Sequence, residues 1–179
     1  MKGKKIVLSG LYISMGILLP IVFHQFNMGG QVFLPMHIPV LIAGLTLGPV
    51  EGLIVGVLTP ILSSFLTGMP VFFPMLPIMI FELGIYGLIS GYFNVNLKSK
   101  IYISMLMAMV SGRIMAGIVV FILVNFFGMQ GTGPYLYVKG AIITGIPGII
   151  IQLLFIPPAV KLLKKCIQLS RMEEVKYNS

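Results

Sequence analysis

The long apolar stretches of this sequence place a few charged side chains at or near membrane depth, among them Glu82, Arg113 and Lys139. A charge at membrane depth is costly, so such residues face a bundle interior or a water-filled cavity by default. Glu82 and Arg113 fall at similar depth on two successive antiparallel helices, where they either pair with each other or contact a ligand. A pair that lines a cavity would do both. Lys139 either snorkels to the outer headgroups or faces an outer pocket.

Uncharged polar residues occur in the same part of the predicted bundle. Around the first outer loop and the outer halves of the helices stand Asn27, Gln31, His37, Tyr86 and Asn125. Each of them taken alone is an ordinary loop or helix residue, and Tyr86 follows Glu82 by one helical turn. Together with the ionisable residues they predict the rim of a polar cavity that binds a small molecule.

No motif of a known catalytic or nucleotide-binding site is present. The sequence lacks a Walker loop, H-E-x-x-H, C-x-x-C and G-x-S-x-G. His24 and His37 have no carboxylate nearby in sequence, which gives little support to a metal site. An enzyme would need Glu82, Arg113 or a histidine to act without recognisable partners. We therefore expect a protein that is not an enzyme, hydrolyses no ATP itself, and uses no cofactor or metal.

The composition places these residues in a membrane. Hydrophobic residues make up 58% of the 179 positions, charged residues only 9%, and the mean hydropathy is +1.06. Soluble domains average about 25% charged residues, so this chain is predicted to be integral to a lipid bilayer. Its net charge of +8 comes from basic residues beside the apolar stretches, which indicates membrane orientation and not nucleic-acid binding.

The apolar stretches predict one all-α domain over residues 1–179. A spanning helix needs about 20 apolar residues, and six stretches qualify as helices, the second of them short: 6–24, 36–48, 50–67, 71–93, 101–127 and 138–163. With the N-terminus inside, ten of the twelve Lys and Arg residues fall on the cytoplasmic side. The positive-inside rule then predicts both termini inside.

Small residues recur at four-residue spacing along several predicted helices. Such stripes let helix backbones approach closely in lipid. For most of them we expect packing inside the bundle: Gly44/Gly48/Gly52/Gly56, Gly87/Gly91 and Gly112/Ala116. Gly10 and Ser14 lie on the first helix and are predicted to face a partner subunit instead.

The chain resembles the substrate-binding S components of energy-coupling factor (ECF) vitamin transporters, in the family that contains the riboflavin and pantothenate S components. The resemblance covers nearly the whole chain and is most specific in "LPMHIPVLIAGLTLGPVEGLIVGVLTPILSSFLTGMP" (34–70). Weaker support comes from "GRIMAG" (112–117) and "KGAIITGIPGIIIQ" (139–152). Many members carry an Ala-x-x-x-Ala pair on the first helix, where this chain has Gly10 and Ser14.

The resemblance implies a fold and a mechanism. The pocket would open outward, capped by the first outer loop and walled mainly by helices 4 to 6, with His37 beside it. The protein would capture its vitamin outside a bacterial plasma membrane, topple on joining a transmembrane coupling subunit with two ATPase subunits, and release the vitamin inside. Gly10 and Ser14 would dock on the coupling subunit. The Gly48-Pro49 turn would leave Glu51 as a helix-start acid at the cytoplasmic surface.

The substrate and some rival functions stay open at this point. The two basic residues Arg113 and Lys139 outnumber the one acid, Glu82, which favours a substrate that carries a carboxylate. Pantothenate therefore ranks first among the substrates, before a pyridoxine- or pyrimidine-type precursor and riboflavin. The main rival is an autonomous secondary transporter, although the sequence shows no clear inverted repeat. A membrane-embedded enzyme and a purely structural subunit are further alternatives.

Overall fold

A computed structural model describes residues 2–25, 30–127 and 133–177, and no β-strand occurs within those ranges. A π turn, Tyr92–Asn96, continues the fifth helix. The helices in chain order are α1 (Lys2–Gln25), α2 (Gly30–Phe33), α3 (His37–Leu47), α4 (Pro49–Thr67), α5 (Met75–Gly91), α6 (Ile101–Phe127) and α7 (Pro134–Tyr177). The six predicted helices correspond to α1 and to α3 through α7.

Five helical segments in the described part of the chain are long and apolar enough to cross a membrane. These spans lie in α1, in α4, in α5 with its π turn, in α6 and in α7. The chain is therefore an all-helical, multi-pass membrane protein. Helix α3 has 11 residues and a length of about 16 Å, which is shorter than a hydrocarbon core of about 30 Å.

The helix ends differ from the predicted ones in three places. The predicted stretch 71–93 corresponds to α5. The prediction that this helix begins at residue 71 is wrong, because the chain from 68 to 74 is not helical. Gly68 adopts a left-handed conformation (φ 73°) that ends α4, and the Ser64 hydroxyl donates to the carbonyl of Pro70 (2.7 Å). The short helix α2 lies where a loop was expected, and α7 continues well past residue 163.

Helix α3 forms the centre of the bundle. It contacts α1, α4, α5 and α7, and the side chains of Val40, Leu41 and Leu45 are fully buried. A helix that is apolar on all sides is stable when other helices surround it. The central position of α3 explains why a helix too short to cross the bilayer is nevertheless tightly held.

Glycine backbones bring α3, α4 and α5 into direct contact. A Cβ atom added at Gly87 would overlap the carbonyl oxygen of Gly52, and one added at Gly44 would overlap the carbonyl oxygen of Gly87. Such close approach is how helices associate in lipid. The prediction that these stripes pack inside the bundle is confirmed. Gly10 differs, since a Cβ there would meet no atom within 4 Å.

One end of the bundle, hereafter the basic end, carries a network between α1, α3 and α4. The ammonium group of Lys5 lies 2.6 Å from the carboxylate of Glu51 and donates to the carbonyl of Leu47 (2.9 Å). Glu51 occupies the first turn of α4, where an acid is favoured by the helix dipole. The prediction of a helix-start acid is confirmed. At the same end, Lys164 of α7 donates to the side chain of Asn94.

Candidate ligand-binding site

A buried ion pair joins α5 and α6 in the interior of the bundle. The guanidinium Nη1 of Arg113 lies 2.7 Å from the carboxylate Oε1 of Glu82, and the two side chains are 10% and 4% exposed. Antiparallel packing of neighbouring helices brings the two residues to the same depth, as their positions in the sequence predict. Of the two alternatives left open for these residues, the pairing is therefore observed.

His37 and Tyr86 complete a cluster around this pair. His37 lies in the first turn of α3, and its Nε2 is 3.5 Å from Glu82 Oε1. Its ring meets the ring of Tyr86 edge-on, with 4.9 Å between the ring centres. Tyr86 in turn fits against Gly112, where a Cβ atom would overlap the Tyr86 ring. We call His37, Glu82, Tyr86 and Arg113 the His37 cluster.

Helix α7 adds a polar residue beside the cluster that sequence reasoning did not assign to the site. A Cβ atom at Gly145 would lie 3.4 Å from Arg113 Nη2, which places this face of α7 against the guanidinium group. Two turns further on, the side-chain amide of Gln152 donates to the carbonyl of Leu34 (3.4 Å). Gly145, Gly148 and Gln152 share one buried face at spacings of three and four residues. That spacing is the signal by which Gln152 was predictable.

Leu34 holds an unusual backbone conformation at this point. Its φ of 50° lies in the left-handed region, which costs a residue other than glycine about 1–2 kcal/mol. The conformation directs its carbonyl oxygen to both the amide of Gln152 and the backbone N–H of His37 (3.1 Å). Strained backbone of this kind is concentrated at binding and catalytic sites.

Several buried polar atoms of this region have no hydrogen-bond partner in the part of the chain that the structure describes. They are Nδ1 and Nε2 of His37, Nε and Nη2 of Arg113, Oε1 of Gln152, and Oε1 of Glu82, the last of which is ion-paired with Arg113. More than about nine-tenths of buried polar groups in native proteins are paired. Each of these atoms can form a hydrogen bond that the described residues do not supply.

Two predicted site residues lie away from the cluster. Lys139 is exposed and is nine residues from Gly148, which places it on the opposite face of α7 at about 100° per residue. Asn125 is exposed, and its amide donates to the carbonyl of Phe121 on its own helix (2.8 Å). The rotation of each helix about its axis, which the apolar sequence does not reveal, turns both side chains outward.

The other two polar residues predicted around the first outer loop are placed only in part. Asn27 lies outside the described residues, as does the side chain of Gln31. The backbone of Gln31 belongs to α2, which packs on α7. A Cβ atom at Gly148 would lie 2.7 Å from the carbonyl oxygen of Val32, so α2 sits beside the face of α7 that carries Gln152.

The predicted docking residues lie on an uncovered face of α1. Gly10 and Ser14 are both exposed, and the Ser14 hydroxyl donates to the carbonyl of Gly10 (2.9 Å). Neighbouring apolar side chains on this face are exposed as well, among them Val7 and Leu11. This face is therefore separate from the His37 cluster.

The polar side chains of the His37 cluster can take part in binding a ligand. Among the residues the structure describes, no three His, Cys, Asp or Glu side chains lie close enough to hold a metal ion together. The side chains of His37, Glu82 and Arg113 can orient a ligand through hydrogen bonds and charge. A few placed polar groups among apolar side chains are typical of small-molecule sites.

Comparison with known proteins assigns a family. The chain matches the family model of the ECF transporter substrate-specific component over residues 4–160. The match extends from α1 into the later part of α7 and includes the whole His37 cluster. No curated protein and no solved structure matches the chain.

Proposed function

Because the chain belongs to the ECF transporter substrate-specific component family, we propose that it captures a vitamin outside a bacterial plasma membrane. It passes the vitamin inward through a transmembrane coupling subunit that two ATPase subunits drive. As a member of this family the chain is a transport subunit and not a catalytic enzyme. Gly10 and Ser14 on the uncovered face of α1 supply the docking surface for the coupling subunit.

The observation that carries the binding role is the set of unpaired polar atoms at the His37 cluster. Buried donors and acceptors without partners cost about 1–3 kcal/mol each. A bound ligand that supplies the missing partners recovers that cost, which makes binding favourable at this position. Arg113 and Gln152 contribute from α6 and α7, in the half of the bundle that the resemblance assigns to the pocket.

The proposed orientation follows from the charges. The basic end, with Lys5, Lys100, Lys161 and Lys164, faces the cytoplasm by the positive-inside rule. His37 begins α3 at the opposite end, and Glu82 lies seven residues into α5, at a depth of about 10 Å. A ligand arriving from outside thus reaches the cluster through the outer half of the bundle, where α2 packs on α7.

The net charge of the His37 cluster helps to decide whether the substrate carries a carboxylate. A carboxylate such as pantothenate was favoured because two buried bases outnumbered one acid. In the structure Glu82 neutralises Arg113, and Lys139 lies on the exposed face of α7. A further carboxylate buried beside Glu82 would meet like-charge repulsion. We therefore place an uncharged nitrogen heterocycle of the pyridoxine or pyrimidine type ahead of pantothenate and riboflavin.

Mass spectrometry of small molecules released from the purified protein tests the proposal. We expect a vitamin-type heterocycle at close to one per protein, and calorimetric titration should then rank it above pantothenate and riboflavin. The protein reconstituted alone in liposomes should bind this molecule without transporting it. Transport by the isolated protein would instead identify an autonomous secondary transporter, and turnover of the molecule would identify an enzyme.

Replacement of Gln152 tests most directly whether the ligand contacts the cluster region. Gln152→Met removes the unpaired amide oxygen, together with the amide hydrogen bond to Leu34, while keeping the volume of the side chain, and should weaken binding about fivefold to tenfold. Asn125→Met is the matched control, because it removes the same amide group from an exposed position whose hydrogen bond is local. Equal affinity of the two variants would show that the ligand does not contact Gln152.

A further inference from the structure

A cavity of about 410 Å³ opens at the basic end of the bundle, remote from the His37 cluster. It lies between the beginning of α6 and the later half of α7. Its lining consists of Ser99, Lys100, Ile101, Tyr102, Pro157 and Lys161. Neither substrate binding nor the docking of α1 makes use of it.

The charges of this cavity are not neutralised from within the protein. Lys100 and Lys161 are exposed, and neither ammonium group has an ion pair or hydrogen bond to another residue in the described ranges. In contrast, Lys5 pairs with Glu51 and Lys164 with Asn94. The first turn of α6, with Ile101 and Tyr102 in the cavity lining, adds the partial positive charge of a helix N-terminus. The cavity is therefore built to receive an anion.

The position of the cavity relative to the bilayer restricts the kind of anion. The apolar span in α7, Pro134–Cys166, has 33 residues and a length of about 50 Å, so its basic end reaches past a core of about 30 Å. Tyr102, 52% exposed, is the kind of residue that marks a membrane interface. The cavity thus lies at headgroup level.

Apolar side chains continue from the cavity toward the middle of the membrane. Ile103 and Leu106 on α6 and Leu154 on α7 are all exposed, by 47%, 50% and 65%. Leu106 follows Tyr102 by four residues and Leu154 precedes Pro157 by three, so both share a helix face with the cavity lining. A ligand held at the two lysines therefore has an apolar surface for acyl chains on the same faces of α6 and α7. A phospholipid has this division between an anionic head and apolar chains, whereas a soluble anion does not.

We propose that this cavity binds the headgroup of an anionic phospholipid of the cytoplasmic leaflet. Basic pockets between transmembrane helices on the cytoplasmic side recognise such headgroups. Lys100 and Lys161 contact the phosphate from opposite walls, and the hydroxyls of Ser99 and Tyr102 donate to its oxygens. The acyl chains lie along the exposed apolar residues of α6 and α7. The proposal depends on the membrane placement and the basic end, and it holds whatever the substrate is.

Native mass spectrometry of the detergent-solubilised full chain tests this, with phosphatidylglycerol and phosphatidylcholine added in turn. We expect one tightly retained phosphatidylglycerol per protein and no comparable retention of phosphatidylcholine. The double variant Lys100→Gln/Lys161→Gln should bind phosphatidylglycerol about tenfold more weakly. Lys98→Gln/Lys165→Gln is the matched control, since both lysines are exposed at the same end and line no part of the cavity.

Three outcomes would overturn the proposal. Equal loss in the two double variants would mean that a diffuse basic surface attracts the lipid. Equal retention of phosphatidylcholine would mean that the headgroup charge is not recognised. Displacement of the lipid by inorganic phosphate would assign the cavity to a soluble anion. The thermal unfolding midpoint of each variant, expected to match that of the unaltered chain because all four lysines are exposed, verifies that the fold is intact.

Discussion

Replacing Arg113 by methionine removes one half of the buried ion pair and leaves the buried Glu82 carboxylate beside His37 without its guanidinium partner. Replacing Glu82 by methionine leaves the guanidinium group in the same position. The double variant Glu82→Met/Arg113→Met removes both charges and fills their space with apolar side chains. We expect each single variant to be far less stable than the double variant.

The geometry of the pair sets the size of the effect. At a separation of 2.7 Å and an effective dielectric constant of about 20, the attraction between the charges is about 6 kcal/mol. Removal from water costs each ion several kcal/mol, so the intact pair contributes little net stability, whereas loss of one partner costs about 3–5 kcal/mol. The double variant should therefore be at least about 2 kcal/mol more stable than either single variant.

Thermal unfolding of the four proteins in one detergent measures this cycle, and calorimetric titration with the copurifying small molecule measures binding. The Lys5–Glu51 pair is the matched control, because its atoms are equally close at 2.6 Å but its side chains are 44% and 22% exposed. Lys5→Met and Glu51→Met should each cost no more than about 1 kcal/mol.

Measurements of stability and of ligand affinity distinguish the structural role of the Glu82–Arg113 pair from its role in binding. We expect the double variant to regain its fold and yet to lose ligand affinity, because Arg113 supplies two of the unpaired polar atoms of the cluster. Additive destabilisation in the double variant would refute the reasoning about the ion pair. Full affinity in a folded double variant would refute the placement of the ligand at the His37 cluster.

Three further predictions concern packing, the exposed lysine and docking. Gly87→Ala should lower stability by at least about 2 kcal/mol, since its Cβ meets the backbone of Gly52, whereas Gly10→Ala, with open space around it, should not lower the unfolding midpoint. Lys139→Met should change ligand affinity less than about twofold because the residue is exposed on the far face of α7; a tenfold loss would place it in the site. Gly10→Leu or Ser14→Leu should abolish ATP-driven uptake by the reconstituted transporter and leave binding by the isolated chain unchanged, and retained uptake would remove these residues from the docking surface.

Much of the fold was predictable because its determinants are local in sequence. Long apolar stretches have to form helices in lipid, where no water satisfies the backbone. One helix end that was missed, the start of α5, depends on contacts beyond the stretch itself. The residues 71–74 are apolar enough for a helix. The hydroxyls of Ser63 and Ser64, however, donate to the carbonyls of Met69 and Pro70 (2.7 Å each) and hold the chain just before residue 71 in a turn.

The candidate site was predictable only in part. Glu82 and Arg113 are conspicuous because charged residues are rare in these stretches, and their similar depth follows from counting residues along antiparallel helices. His37 and Tyr86 were also identified, and both join the cluster. The sequence did not place Gln152 in the site, although it faces inward, and it did place Lys139 and Asn125 there, although both are exposed. The direction of a side chain on an apolar helix cannot be read from hydrophobic periodicity.

By itself, the sequence determined the membrane class, the approximate helices, the basic end and the short set of polar residues from which a site could be built. Composition and spacing along the chain suffice for these properties. Only the tertiary structure decided that Glu82 pairs with Arg113, that Gln152 faces inward and that Lys139 faces outward. Those outcomes depend on the rotation of each helix about its axis, and in lipid that rotation is set by close packing between helices, such as the contact of Gly52 with Gly87.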